Sequence, residues 1–200
     1  MNQAPERALD EYLVSLSQTG STEALDGLAR RWTPRLLRYA ARMLGRSGEA
    51  AETARDVVQE TWVGAIRGLR GLRDPAQFPT WIYGIATRKC VDAIRASMRR
   101  RRLDARAAVD SDSDRPVTGL TPEQQIDLGT AIRGLPPIHR AAVHLFYGED
   151  LSVEEIALVL GIPAGTVKSR LHHAREALKR QLGAGTPGRN DGESRKRWIL

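Results

Sequence analysis

The segment between residues 152 and 182 carries the pattern that most constrains what this chain can fold into. It opens with Ser152-Val-Glu-Glu155, in which a serine followed three residues later by a glutamate forms the capping box that begins a helix. A Gly161-Ile-Pro163 turn follows, and a second helix is predicted from about Ala164 onward. Such a pair of helices is a helix-turn-helix, which places its second helix in the major groove of duplex DNA.

The second of these helices has one apolar face and several polar ones. Apolar residues at positions 167, 171, 174 and 178 keep the spacing of a buried helix face. The polar side chains that are left to meet DNA are Thr166, Lys168, Ser169, Arg170, His172, His173 and Arg175. The two adjacent histidines are expected to face DNA or solvent rather than a metal ion. A plain helical core with no role in DNA binding is the alternative interpretation.

Helical periodicity also marks the other segments. Two apolar series run over residues 9–16 and 25–43, and Pro34 marks either a kink or a new start in the second series. Thr121-Pro-Glu-Gln124 is another capping box, with a helix ending near Gly134, and a further helix follows the prolines at 136 and 137 and ends near Gly148. The sequence therefore predicts an all-α fold.

An aspartate-rich segment with little apolar content divides the chain. It predicts two small helical domains, 1–103 and 122–183, joined by a flexible acidic linker over 104–121, with a basic tail over 184–200. An extended linker of this length can let both domains engage one long ligand.

The helix predicted over residues 49–69 has opposite apolar and acidic faces. The apolar residues are Ala54, Val58, Trp62, Ala65 and Leu69, and the acidic ones are Glu49, Glu52, Asp56 and Glu60. The acidic stripe is either a solvated face or a docking face for a basic partner, and periodicity alone leaves both interpretations open.

A Gly-, Pro- and Arg-rich loop over residues 68–78 precedes the next helix, predicted over residues 79–102. Trp81 and four arginines project from this helix within about 60° of one another; the arginines are Arg88, Arg95, Arg99 and Arg102. An aromatic ring beside arginines can stack an unpaired base while the cations follow the backbone. The alternative is that Phe78 and Trp81 are ordinary core residues.

The composition favours a polyanionic partner and argues against catalysis. Lys and Arg number 31 against 24 Asp and Glu, which gives a formal charge of +7. Cys90 is the only cysteine, and the four histidines show no metal-ligand spacing. No phosphate loop, nucleophile elbow, secretory signal or membrane-length apolar run is present. We therefore expect a cytoplasmic, soluble protein that is not an enzyme and uses no cofactor or small-molecule substrate.

Four segments, in order, resemble the extracytoplasmic-function sigma factors, the small two-domain initiation factors of bacterial RNA polymerase. The segment from Asp56 to Trp62 (DVVQETW) resembles the family's D-L-V-Q-E-x-F run, and Phe78 to Arg95 resembles F-x-x-W-L-x-x-I-A…D-x-x-R. The Leu135-Pro-Pro segment resembles L-P-x-x-x-R, and the segment from Gly165 resembles G-T-V-K-S-R-L-x-R-A-R.

The resemblance implies a role for each segment. Core polymerase would be bound at the clamp helices of its largest subunit and at its flap, the former through Asp56, Val57, Gln59, Glu60 and Trp62. The minus-ten element would be read as a single strand by Arg73, Phe78, Trp81, Arg88, Lys89, Arg95 and Arg99. The minus-thirty-five duplex would be read by Arg140 together with the polar residues of the helix-turn-helix. An anti-sigma factor is implied as a further partner.

The chain departs from the family's pattern at two positions. Arg88 stands where the family commonly has asparagine, beside the pocket for a flipped base, and His173 stands where it usually has arginine. A histidine is mostly neutral near pH 7, so weaker phosphate contact or a different base preference is expected at position 173. The competing functional interpretation is a helix-turn-helix regulator that binds duplex DNA without polymerase, which accounts for the C-terminal half but not for the acidic helix or the Trp81 face.

Overall fold

A computed structural model describes residues 4–45, 48–110 and 128–183, and every regular element in these ranges is helical. The α-helices, numbered in chain order, are α1 (Ala4–Gln18), α2 (Thr22–Leu44), α3 (Gly48–Gly68), α4 (Phe78–Asp110), α5 (Leu128–Arg133), α6 (Pro137–Gly148), α7 (Val153–Leu160) and α8 (Ala164–Gly183). The helices before the gap at 111–127 form an N-terminal unit, and those after it form a C-terminal unit. The prediction of an all-α protein with two helical units is confirmed.

Helix α2 is the central helix of the N-terminal unit. Its start is capped by Ser21, whose side chain accepts a hydrogen bond from the Ala24 amide, and it ends at Gly45, which has a φ of 114° that favours glycine. Pro34 lies inside this continuous helix, so it does not begin a new one. The buried face of α2 carries Leu28, Trp32, Leu36, Tyr39 and Met43.

Aromatic rings join α2 to α4 in the core. The Trp32 ring lies 5.4 Å from Phe78 and 5.7 Å from Tyr83, and Tyr39 lies 5.3 Å from Tyr83, all in edge-to-face geometry. The Tyr39 hydroxyl is within hydrogen-bonding distance, 2.7 Å, of the Thr87 hydroxyl, so this buried polar pair satisfies itself. These contacts fix the rotation of α4, and therefore which of its residues face outward.

Two boundaries differ from the sequence-based prediction. Helix α4 continues to Asp110, so residues 104–110, predicted as linker, are helical. The segment 68–78 is not irregular throughout, because it contains two short 3-10 turns, Leu69–Gly71 and Pro75–Gln77, the second capped by Asp74. The remaining linker residues, the Thr121 capping box and the tail from 184 lie outside the described residues.

The C-terminal unit contains the predicted helix-turn-helix. Both hydrogen bonds of the Ser152–Glu155 capping box are present, and Gly161 ends α7 in the left-handed conformation that the turn requires. Val167, Leu171 and Ala174 of α8 are buried, as their spacing predicted. The polar side chains of α8 are thereby directed away from the core.

The two units contact each other, with α7 packed on α4 and α6 packed on α2. The α4–α7 contact brings α7 close to the backbone of Gly84, since a Cβ built at this position would lie 3.5 Å from the Val159 carbonyl oxygen. An alanine would fit at that distance, but a longer side chain would force the helices apart.

Candidate polymerase and nucleic-acid interfaces

The outer face of α3 presents carboxylates and an amide to solvent. Asp56, Gln59 and Glu60 are exposed, and Glu60 forms an ion pair of 2.7 Å with Lys89 of α4. Val57 is only 5% exposed and belongs to the core, so the structure removes it from the predicted polymerase contact. Trp62 is half-buried, and its indole Nε1 donates a hydrogen bond of 3.0 Å to the Thr33 hydroxyl.

The same face carries two apolar residues that the sequence-based prediction missed. Val63 and Ile66 are 48% and 56% exposed, respectively. They follow Asp56 and Gln59 by seven residues, which places all four on one side of the helix. Both residues lie outside the periodic apolar series of α3, and this departure was the sequence signal that could have identified them. Exposed apolar side chains beside free polar groups are typical of a protein-binding surface.

The predicted single-strand face of α4 is present, but one of its two aromatic residues is not available. Arg88, Arg95 and Arg99 are exposed, and Trp81 is half-buried against the backbone of Gly68. Phe78 is fully buried beneath Trp81, so the prediction that it stacks on DNA bases is wrong for this conformation.

The two remaining members of the predicted set lie at the edges of this face. Arg73 is exposed between the two 3-10 turns that precede α4. Lys89 points towards α3, where it pairs with Glu60. The structure therefore groups Trp81 with three arginines and leaves Arg73 and Lys89 beside them.

A cleft of about 490 Å³ lies between α4 and the C-terminal unit. Trp81, Arg88 and Arg95 line one wall, and Ile138 and Leu158 line the other. Part of the predicted DNA face is therefore adjacent to α7 in this conformation.

Helix α8 presents the predicted duplex-binding residues in two groups. Lys168, Ser169, His172, His173 and Arg175 are exposed, and the Nε of Arg175 donates a hydrogen bond of 3.0 Å to the Tyr147 hydroxyl. Thr166 and Arg170 are half-buried. The exposed group is available to a DNA groove.

Arg140 is not on this surface. It is 7% exposed, and its guanidinium donates hydrogen bonds to the carbonyl oxygens of Met43 (2.8 Å), Leu135 (3.3 Å) and Arg133. Burial, and secondarily the charge of Arg133, lowers its pKa below the ordinary value for arginine. The structure therefore corrects the prediction of a DNA contact, because this side chain ties α6 to the end of α2.

A second buried polar cluster also joins the two units. The Glu149 carboxylate accepts a hydrogen bond of 2.8 Å from Arg42 Nη2 and another from the Tyr83 hydroxyl. Burial raises the pKa of Glu149, although the Tyr83 hydrogen bond and the nearby arginines oppose this effect. Burial and the Glu149 charge raise the pKa of Tyr83 as well. No sequence pattern indicated this cluster, because its members are far apart in the chain.

Comparisons with known proteins place both units in one family. The family model for sigma-70 region 2 matches residues 28–100, and that for sigma-70 region 4 matches residues 125–178. The chain is 36% identical over 175 residues to the ECF RNA polymerase sigma factor SigE of Mycolicibacterium smegmatis, covering 82% of this chain and 65% of that protein. It is 32% identical over 174 residues to the ECF RNA polymerase sigma factor SigW of Bacillus subtilis, covering 82% of this chain and 91% of SigW.

Solved structures share the fold. The structure of CnrH in complex with the cytosolic domain of CnrY has a TM-score of 0.62 at 24% identity, covering 89% of this chain and 99% of that one. The sigma factor RpoE in complex with the anti-sigma factor NepR from Bartonella quintana has a TM-score of 0.55 at 24% identity, covering 79% and 96%. Among the helices that the structure describes, none has the length and apolar character needed to cross a membrane. Because both sigma-70 regions occur in sequence order and SigW is matched over nearly its whole length, this chain belongs to the sigma-70 family, among the extracytoplasmic-function sigma factors that direct RNA polymerase to promoters.

Proposed function

We propose that the outer face of α3 docks the chain on the clamp helices of core RNA polymerase. The exposed carboxylates of Asp56 and Glu60 suit a basic partner, and Gln59 adds a hydrogen-bonding group. Val63 and Ile66 supply the apolar area that a stable interface buries. Trp62 supports this surface from within, because its indole is held by Thr33.

The face of α4 that carries Trp81 is proposed to hold the melted minus-ten element. Trp81 can stack one unpaired base, and Arg88, Arg95 and Arg99 extend along the helix in the direction that a nucleic-acid backbone would follow. Arg73 and Lys89 flank the face as further cations. This row of exposed arginines beside a half-exposed tryptophan is the observation that carries the proposal, since a regulator that reads only duplex DNA has no use for it.

Helix α8 is proposed to read the minus-thirty-five element as a duplex. Lys168, Ser169 and His172 lie in its first half, which enters the major groove in helix-turn-helix proteins. Thr166, Arg170, His173 and Arg175 are placed to contact the phosphates or groove edges around them.

We place its action in the cytoplasm, where polymerase and DNA are, and assign it no chemical reaction. An anti-sigma factor is proposed as a regulator, because the structure of RpoE with NepR shows that a protein of this fold can bind one. The two domains are proposed to span residues 1–110 and 122–183, the first extended beyond the predicted boundary at 103 because α4 continues to Asp110.

Run-off transcription tests the proposal. Core polymerase is incubated with genomic fragments, with and without this chain, and the 5′ ends of the new RNAs are mapped. We expect new start sites that share two upstream elements, and their loss with Trp81→Ala but not with Trp32→Phe, which alters only the core. Tight binding of intact duplex by the chain alone, with no new starts, would instead identify a helix-turn-helix regulator.

A further inference from the structure

Glu149 is an acidic residue of the C-terminal unit that is bound by two residues of the N-terminal unit. It follows α6, and its side chain is 9% exposed. One carboxylate oxygen accepts from Arg42 of α2, and the other accepts from Tyr83 of α4. A buried carboxylate without such partners would carry a large desolvation cost, so these two donors determine where this end of α6 can sit.

The backbone around Glu149 completes the contact. Arg42 Nη1 also donates to the carbonyl oxygen of Gly148, at 3.2 Å. A Cβ built on Gly148 would collide with the end of the Arg42 side chain, so the close approach of the guanidinium depends on this glycine. The Glu149 carboxylate and the Gly148 backbone therefore both determine where the Arg42 guanidinium lies.

Other contacts between the units are arranged around this cluster. Arg140 binds the Met43 carbonyl at the end of α2, and Arg7 of α1 forms an exposed ion pair of 3.2 Å with Glu155 of α7. Exposed pairs of this kind contribute little, because solvent screens them. Among the described charged pairs between the units, Glu149 with Arg42 has the most deeply buried carboxylate.

We propose that Glu149 acts as a latch, through Arg42 and Tyr83, that holds the C-terminal unit closed against α2 and α4 in the free chain. In the closed chain α7 lies along the face of α4 that carries Trp81 and Arg88. The latch itself is independent of the function proposed above, but its consequence rests on that function. In the closed chain the single-strand face of α4 is less accessible to DNA, and binding of polymerase or DNA separates the two units.

Two substitutions open the latch by different means. Glu149→Ala removes both carboxylate oxygens that bind Arg42 and Tyr83, and Arg42, which is 37% exposed, can then turn to solvent without leaving a buried charge. Gly148→Ala keeps every charge but displaces the Arg42 guanidinium. The matched controls are Glu154→Ala, at an exposed acid on α7, and Gly165→Ala, where a Cβ would meet nothing within 4 Å.

Energy transfer between dyes in the full chain reports closure directly. Dyes are attached through Asp26→Cys on α2 and Lys179→Cys on α8, both exposed positions, while the natural Cys90 is buried and stays unlabelled. We expect transfer efficiency to fall in Glu149→Ala and in Gly148→Ala but not in the two controls, with unchanged helical circular dichroism in all four. Unchanged transfer in both latch variants would overturn the proposal.

Binding of dye-labelled random single-stranded DNA to the free chain then tests the consequence. Glu149→Ala is expected to bind at least tenfold more tightly than the parent chain, and Glu154→Ala, which makes the same change in net charge, less than twofold more tightly. If the units separate but single-strand binding does not rise, the latch stands and the assignment of the α4 face to DNA fails. Run-off transcription with Glu149→Ala should still produce the same start sites, since polymerase opens the parent chain as well.

Discussion

Phe78 and Trp81 lie three positions apart at the start of α4, yet the fold gives them different environments. The Phe78 ring is fully enclosed beside Trp32, whereas Trp81 rests on Gly68 with part of its surface free. An aromatic ring can stack on a nucleic-acid base only if one of its faces can be reached. At the scale of the residue, therefore, burial divides the predicted base-binding set into a core residue and a surface residue.

Replacing each ring by alanine should separate these roles. Phe78→Ala should lower the free energy of unfolding by about 3 to 5 kcal/mol, because it leaves a cavity in the core. Trp81→Ala should change that free energy much less, but should weaken single-strand binding by about 1 to 3 kcal/mol through the loss of one stacked base. Urea unfolding and fluorescence anisotropy measure the two quantities. Equal losses of stability in both variants would contradict the assignment.

At the scale of the element, α3 combines an inward apolar face with an outward mixed one. Ala54, Val58 and Ala65 pack inward, whereas Asp56 and Ile66 point to solvent. The exposed apolar residues contribute nothing to the core of the free chain. Their contribution is therefore expected to appear when a partner covers them.

We predict that Ile66→Ser weakens assembly with core polymerase while leaving the unfolding free energy within about 0.5 kcal/mol of the parent value. Asp56→Arg should weaken assembly further, because it reverses a charge at the same surface. Asp26→Arg, an exposed acid on α2, is the matched control and should assemble normally. Native gel shift with labelled core polymerase measures the effect, and normal assembly of both α3 variants would exclude this face as the docking site.

Helix α8 supports a separate prediction, because His173 is exposed at a position where an arginine would carry a fixed positive charge. His173→Arg should add one phosphate contact and steepen the dependence of the logarithm of the promoter-binding constant on the logarithm of salt concentration by about 0.9. The measurement is a salt titration of duplex promoter binding by the polymerase complex. An unchanged slope would show that position 173 does not approach a phosphate.

At the scale of the whole molecule, buried polar groups lie beside an apolar core that continues through both units, and they position the units relative to each other. Arg42, Tyr83, Arg140, His144 and Glu149 converge between α2, α4 and α6. Burial, followed by the charges of Arg42 and Arg140, lowers the pKa of His144 from 6.5 to about 4. Buried polar groups specify geometry closely, because each must find its own partner.

Stability should therefore depend on pH through His144. Because its folded-state pKa lies below its unfolded value, its contribution is complete above pH 6.5 and is lost as the pH falls towards 4, by about 3 kcal/mol in total. Glu149 acts in the opposite direction, since its raised pKa favours the folded state when it is protonated.

The comparison of the parent chain with His144→Gln isolates the histidine, because glutamine does not titrate in this range. Urea unfolding at several pH values between 6.5 and 4 should show that acid lowers the free energy of unfolding less in the variant than in the parent chain. Parallel pH profiles for the two proteins would mean that folding does not lower the pKa of His144.

Much of the fold was predictable from local sequence patterns. The capping box at Ser152, the turn at Gly161 and the inward spacing of α8 were all confirmed, because each depends on contacts within a few residues. The end of α4 was placed too early, because the composition after residue 103 favours a linker, whereas the helix continues to Asp110. Helix ends without a strong stop signal are weakly encoded in local sequence.

The predictions of the candidate sites were likewise correct where they depended on a single helix and wrong where they depended on packing between helices. Periodicity identified the acidic side of α3 and the arginine row of α4, since both are properties of a single helix. Phe78, Val57 and Arg140 were assigned to surfaces and are buried, and the exposed Val63 and Ile66 were missed. These errors share one cause: the side of a helix that is covered depends on its neighbours in space.

The amino-acid sequence by itself determined the helices, the helix-turn-helix, the excess of positive charge and the family, because these depend on local hydrogen bonding, on spacing along one chain and on composition. Only the tertiary structure decided that Glu149 would meet Arg42 and Tyr83, that Arg140 would bind the end of α2 and that α7 would lie along α4. The three hydrogen-bonded contacts join residues separated by 66 to 107 positions. Their formation depends on how whole units pack, and no local pattern encodes that packing.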